Sequence, residues 1–243
     1  MRLTVLFENR DLIVCLKPAG VLSEAPQHGE PSMLSLLQVY FDDSEAACAP
    51  FPVHRLDMGT GGVMVYAKNK KTAAALSAAI AAHETEKRYF AVVHGIPPEK
   101  TGVFCDLLFR QQSTGKAFVV SRMRQGVREA QLSYRLLETV GCGEDTLSLV
   151  LIRLKTGRFH QIRVQFSSRG MPLAGDGKYG ARDRLKHPAL WACGLSFDYR
   201  GKRLRFSEPP PEELPWTLFS AAARECRNVF DLFSEEEGTG LPR

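Results

Sequence analysis

Residues 52–94 read PVHRLDMGTGGVMVYAKNKKTAAALSAAIAAHETEKRYFAVVH, and the fold class turns on them. A glycine-punctuated loop leads into the apolar run Gly62–Ala67, the length of a buried strand. Lys71–His83 is rich in alanine, the best helix former, and predicts a helix. Tyr89–His94 returns to a strand pattern. Outward from this stretch, strand-like runs recur at Thr4–Phe7, Leu12–Leu16, Ala117–Ser121, Gln131–Glu138 and Thr146–Leu154. Several alternate apolar and polar residues, as half-buried antiparallel strands do. Further helices are expected over Ser32–Phe41 and His160–Arg169, the latter stopped by Gly170 with Pro172 beyond it. The proline-rich run Ser207–Glu213 punctuates the chain before an expected last helix near Thr217–Phe233. Many strands, few helices and no strict β-α alternation predict an α+β fold: a mixed, largely antiparallel sheet with flanking helices.

A chain of 243 residues with 44% hydrophobic and 24% charged residues has globular composition, which argues against disorder, coiled coil and collagen. No run approaches 18 apolar residues, so no membrane span is expected. Glu8, Arg10 and Asp11 interrupt the N-terminus before a signal-like core forms, and the expected location is the cytoplasm. The six cysteines lie at least 33 residues apart, which gives neither a CxxC pair nor zinc spacing. They are expected to be buried or idle thiols.

The net charge of +5 is unevenly placed. Residues 153–205 carry 13 Lys and Arg against 3 Asp and Glu, whereas residues 1–152 balance at 16 of each and residues 206–243 carry 3 against 8. A basic block of that density suits a polyanion, or equally a solvated basic surface offset by the acidic end.

Four stretches combine polar groups with glycine beyond what a core requires. In Pro52–Gly62, Asp57 reads as a turn residue capping backbone N–H groups, or as an acid held firmly yet within reach. In Lys155–Arg163, a helix starting near Arg158 puts His160 and Arg163 on one face, with Ile162 pointing onto an apolar floor. His160 reads equally as a satisfied core histidine. In Glu86–Gly95, Lys87, Tyr89 and Ala91 face one way and Arg88 and Phe90 the other, with Tyr89 either a core aromatic or a site residue. Gly170–Gly180 reads first as a tight structural loop. Other chemistries fail on spacing: there is no GxSxG elbow, GTGG lacks the Gly-Lys-Ser/Thr of a P-loop, and the histidines are too scattered for a metal site.

These residues together resemble the RluA-type pseudouridine synthases. HRLDMGTGGVMVYAKN resembles that family's HRLD-x-x-T-S-G signature and the strand after it. EKRYFAVVHG is similar to its K-x-Y-x-A-x-V-x-G strand, and GRFHQIRVQFSSRGMPLAGDGKYG to its segment from GRTHQIR to GD-x-x-YG. VLFENRDLIVCLKPAGVL resembles its opening strand pair, which ends in K-P-A/S-G. The resemblance runs from Val5 to Pro209. It implies the pseudouridine synthase catalytic fold and an isomerase of uridine in ribosomal or transfer RNA, with neither cofactor nor metal. Uracil is detached from C1′ of ribose, turned over and rejoined through carbon. The resemblance assigns catalysis to Asp57, Arg163 and Tyr89, and substrate binding to Arg55, Ile162, His160 and Thr60. Arg55 matches the arginine implicated in flipping the nucleotide, and Ile162 the residue packing on the base. With that family's pattern starting by Val5, one catalytic domain over residues 1–233 is expected without a separate small RNA-binding domain; residues 234–243 read as an acidic flexible tail, and a monomer is expected.

Elementary physics is consistent with those roles. A guanidinium about 4 Å from a carboxylate offers roughly 4 kcal/mol at an effective dielectric near 20, enough to hold a partly buried acid charged. Stacking on an aromatic ring contributes about 1–3 kcal/mol per base. Extruding a uridine costs a few kcal/mol, and the basic block supplies phosphate contacts that weaken with salt. The chain departs from the family pattern at Met58, Gly59, Gly61, Phe159 and Gln165. Phe159 stands where threonine is usual, so substrate choice is where differences are expected. The competing expectations are a non-catalytic RNA-binding protein that keeps the fold, which the retained Asp57, Arg163 and Tyr89 disfavour, and a structural protein with no salt-sensitive RNA affinity.

Overall fold

The computed structural model describes residues 3–25, 29–43, 49–143, 145–225, 227 and 229–233. The expected acidic tail, 234–243, lies outside them, as do Cys48 and Cys226. The chain divides into two compact units, Met1–Glu86 with Leu195–Phe206, and Lys87–Gly194 with Ser207–Arg243.

In the first unit, β1 (Val5–Glu8) and β2 (Leu12–Lys17) form an antiparallel hairpin. Its turn closes because the Asn9 side-chain oxygen accepts the N–H groups of Asp11 and Leu12, the local bond that makes asparagine a turn residue. Then follow α1 (Met33–Asp43), β3 (Phe51–Pro52), β4 (Gly61–Ala67) and α2 (Lys70–Ala81). Every residue of β4 is buried, as its unbroken apolar run requires. β4 pairs antiparallel with β2 from Leu12↔Ala67 to Lys17↔Gly62. That register sets Lys17 opposite the glycines that follow the His54–Thr60 loop. α2 begins where Asn69 caps it, its side chain accepting the Thr72 N–H at 2.9 Å. Leu12, Val14, Val63, Val65, Leu76, Leu195 and Phe197 make this unit's core.

The second unit contains β5 (Glu86–His94), β6 (Thr101–Gln111), β7 (Lys116–Val120), β8 (Val127–Cys142), β9 (Asp145–Leu154) and α3 (Gln161–Ser167). The strands pair antiparallel in the order β5-β9-β8-β6-β7. Phe90, Val92, Leu149, Leu151, Trp216, Phe219, Phe230 and Phe233 form its main core. β10 (Leu190–Tyr199) starts in this unit and ends in the first, followed by β11 (Lys202–Ser207).

The fold is α+β with a largely antiparallel sheet, as expected. The anticipated last helix over 217–233 is not found among the described residues: a short 3-10 turn, Trp216–Leu218, is followed by further turns. Trp216, Phe219, Val229, Phe230 and Phe233 enter the core one by one, and Glu138 takes the backbone N–H and hydroxyl of Ser220. Tertiary anchoring there outweighs local helix propensity. β6, whose residues are mostly exposed or half-buried, and β10, whose residues are mostly buried, are strands beyond those expected, because neither alternates cleanly.

Candidate active site

The candidate residues fall into two groups, one in each unit. The first unit holds Arg55, Asp57 and Thr60. The chain around Asp57 is fastened on both sides. On one side the Ser23 hydroxyl accepts the Leu56 N–H at 3.0 Å and donates to the Leu56 carbonyl at 2.9 Å. On the other side the Met58 carbonyl accepts from Lys17 Nζ at 3.1 Å and from the Gly20 N–H at 2.8 Å. Thr60 N–H closes the turn onto the Asp57 carbonyl at 3.0 Å. Asp57 itself is half-buried between these anchors, so it is held rigidly and remains reachable.

Lys17, which is not among the expected site residues, lies beneath this loop. It is buried, and its Nζ donates to the carbonyls of Val21 (2.5 Å), Pro18 (3.1 Å) and Met58 (3.1 Å). Three acceptors match the three protons of an ammonium. Burial draws its pKa down to about 7, against the pull of the Asp57 charge. The K-P-A-G stretch at the end of β2 was the signal for it.

Thr60 is buried, and among the described residues its hydroxyl has no hydrogen-bond partner. A buried hydroxyl left so is costly, and a ligand contact would satisfy it. Arg55 is exposed, with its guanidinium 3.5 Å from a half-exposed Glu24. An exposed pair of that length is weak and leaves the arginine easily recruited elsewhere.

The second unit holds Tyr89, His160, Ile162 and Arg163. Tyr89 sits on β5, buried and opposite Ile152 of β9. The expected alternation along β5 is observed on the Arg88 side: Arg88 Nε donates to the Val229 carbonyl and its guanidinium lies over Phe233, while Phe90 enters the core. Ile162 and Arg163 are both buried on α3. Arg163 is gripped at two points by Asp176, with Nε 2.6 Å from Oδ2 and Nη2 2.8 Å from Oδ1. Its guanidinium also lies 5.0 Å from the centre of the Tyr179 ring, a cation–π distance.

α3 starts one residue later than expected, because His160 takes a left-handed backbone, φ 53°, just before the first turn. His160 and Arg163 nevertheless converge, on Tyr179 rather than as neighbours on one helix face. His160 Nδ1 is 2.9 Å from the Tyr179 hydroxyl. That hydroxyl accepts the Ala117 N–H of β7 at 2.7 Å.

The segment 170–180, expected to be a structural loop, therefore supplies the two residues that orient Arg163 and His160. Gly175 allows this: it has φ 79°, and a Cβ there would collide with the His187 carbonyl. Gln161 and Gln165 lash α3 to the sheet, bonding the Gln131 carbonyl (3.1 Å) and Asp106 (2.7 Å) respectively.

A cavity of about 630 Å³ in the second unit is lined by His94, Asp145, Leu147, Asp183, Leu185 and Leu214, among others, and by none of the candidate residues. No helix among the described residues is long and apolar enough to cross a membrane.

Comparison with known proteins agrees with this architecture. Human RNA pseudouridylate synthase domain containing 1 superposes with a TM-score of 0.74 at 23% identity, covering 100% of this chain and 97% of that one. The fold is thus that of the pseudouridylate synthases. The family model for RNA pseudouridylate synthase matches residues 11–168. An uncharacterized RNA pseudouridine synthase of Bacillus subtilis (strain 168), YlyB, is 32% identical over 222 residues, 88% of this chain and 71% of that protein. The ribosomal large subunit pseudouridine synthase D of Pseudomonas aeruginosa is 30% identical over 248 residues, 95% of this chain and 74% of that protein. The chain belongs to the RluA-type RNA pseudouridine synthases, isomerases whose substrate is RNA.

Proposed function

We propose that this protein converts particular uridines of a structured cytoplasmic RNA to pseudouridine, with Asp57 as the catalytic carboxylate. The observation that carries this reading is the anchoring of the loop: Leu56 and Met58 are both pinned through their backbone groups, and the acid between them stays accessible. A fixed carboxylate avoids reorganisation as charge changes in the reaction. Arg163, already oriented by Asp176, is the cation assigned to favour the ionised acid. Tyr89 is assigned to present its ring and hydroxyl to the uracil, and Ile162 an apolar surface. Thr60 and His160 contact the nucleotide, and Arg55 fills the space it leaves in the RNA.

The relatives named as ribosomal large subunit synthases favour ribosomal over transfer RNA as the substrate. One catalytic domain acting as a monomer suffices for this reading. The test is Asp57→Asn, incubated with RNA from cells lacking this gene. The variant is expected to fold and bind RNA with unchanged affinity while forming no pseudouridine. Turnover by Asp57→Asn would falsify the assignment.

A further inference from the structure

The ring of Phe159 carries partners on both of its faces. His160 stacks on it with centroids 3.8 Å apart and planes 20° apart, and the Arg110 guanidinium carbon lies 4.2 Å from its centre. Two groups that close cannot share one face, so the three form a column with His160 innermost. The inner end is fixed, because His160 is bonded to Tyr179, whose ring also receives Arg163. The outer end is Arg110, near the end of β6 and opposite Ala117. It is exposed, and among the described residues it has no carboxylate partner.

Its surroundings are basic. Residues 101–128 carry Arg110, Lys116, Arg122, Arg124 and Arg128 against the single acid Asp106. Asp106 is itself engaged by Arg169 and Gln165.

We propose that the Arg110–Phe159–His160 column is a stacking site for an unpaired nucleobase of the substrate RNA beside the target uridine. The base lies on the outer face of the Arg110 guanidinium. Guanidinium planes are established partners for splayed bases, and contact with the Phe159 ring positions this one in advance, which the threonine usual in the family cannot do. His160, held in a left-handed conformation that non-glycine residues rarely adopt, orients the ring beneath. The inference deepens the proposed function and rests on it, since it takes RNA as the ligand and Arg163 as part of the site.

The experiment compares two probes by fluorescence anisotropy: a single-stranded decamer of adenylates and the same ribose-phosphate backbone without bases. The wild-type protein is expected to prefer the base-bearing decamer about tenfold, the scale of one stacked base. Phe159→Thr and Arg110→Ala should each reduce that preference at least fivefold. Phe159→Thr should leave affinity for the abasic strand within twofold. Arg110 is a surface residue, so its variant keeps the test decisive if Phe159→Thr folds poorly.

A preference retained in Arg110→Ala overturns the proposal. So does equal weakening toward both strands with a salt slope reduced by about one, the signature of a phosphate contact. Pseudouridine formation by the wild-type protein is measured in parallel. If it occurs while the base preference survives in both variants, the column fails and the proposed function stands. If it is absent, the proposed function fails, and the base preference alone decides the column.

Discussion

Arg163 and Asp176 meet as a buried two-point ion pair, Nε to Oδ2 at 2.6 Å and Nη2 to Oδ1 at 2.8 Å, with Asp176 only 1% exposed. The parallel N–H···O bonds fix the plane of the guanidinium as well as its position. A lysine at 163 would keep the charge and lose that orientation. Removing Arg163 takes both guanidinium bonds from the buried Asp176 carboxylate, and removing Asp176 takes both carboxylate bonds from the buried guanidinium.

Asp176→Asn and Arg163→Met should therefore each destabilise the protein by about 3 kcal/mol or more in urea unfolding. Each should also lower the rate of pseudouridine formation. The double variant Arg163→Met/Asp176→Leu separates the two effects: an apolar pair of similar volume should restore much of the stability and none of the activity. Activity in the double variant would remove Arg163 from the proposed chemistry.

Lys17 joins the end of β2 to the Asp57 loop through the Met58 carbonyl. Lys17→Met removes the ammonium donor from the Val21, Pro18 and Met58 carbonyls, of which Met58 keeps the Gly20 N–H, and should cost about 2–4 kcal/mol, with a larger fall in pseudouridine formation than in RNA affinity. The pH dependence has a definite sign. The folded pKa, about 7, lies below the unfolded 10.5, so between those values the unfolded chain binds more protons. Stability from this group then rises with pH from about 7 to about 10.5. Urea unfolding across that range should show the rise in the wild-type protein and its loss in Lys17→Met. Parallel slopes would contradict it.

His94, beside the cavity of the second unit, bridges two acids: Nδ1 is 2.5 Å from Asp145 and Nε2 is 2.8 Å from Asp183. Burial lowers its pKa, but the hydrogen bonds and charges of the two carboxylates outweigh that and raise it above 6.5. The Asp145 pKa is lowered, first by its hydrogen bond to His94. That of Asp183 is lowered by the N–H groups of Gly175 and Leu185 and by His94, against its own burial. The histidine's contribution is complete below pH 6.5 and is lost as pH rises through the folded pKa; the acids' contribution is lost as pH falls through their lowered values. The stability gap between wild type and His94→Gln should be about 1 kcal/mol near pH 6 and should narrow as pH is raised from 6 to 9. A gap unchanged over that range would show that the bridge does not depend on the imidazolium.

The helix over α2 was legible because alanine content is a local property, and β4 because an unbroken apolar run of strand length suits a buried strand. The His54–Thr60 loop stood out as a polar, glycine-rich interruption before that strand. The Asp176 clamp did not stand out. Residues 170–180 carry the same glycine and proline signals as any turn, and nothing local tells a loop that reverses the chain from one that delivers a carboxylate to Arg163. The final segment misled in the opposite sense, since residues 217–233 suit a helix until Glu138 and the core claim their side chains one at a time.

By itself the sequence determined the α+β class, the family, and the two motif segments that carry Asp57 and Arg163, because these rest on short-range patterns of polarity and glycine. Only the tertiary structure decided which groups hold those residues in place. Lys17 reaches Met58 across 41 positions, Ser23 reaches Leu56 across 33, and Phe159 meets Arg110 of β6. Such contacts form when distant segments close on one another and buried polar groups must find partners. No local pattern encodes which partner will be within reach.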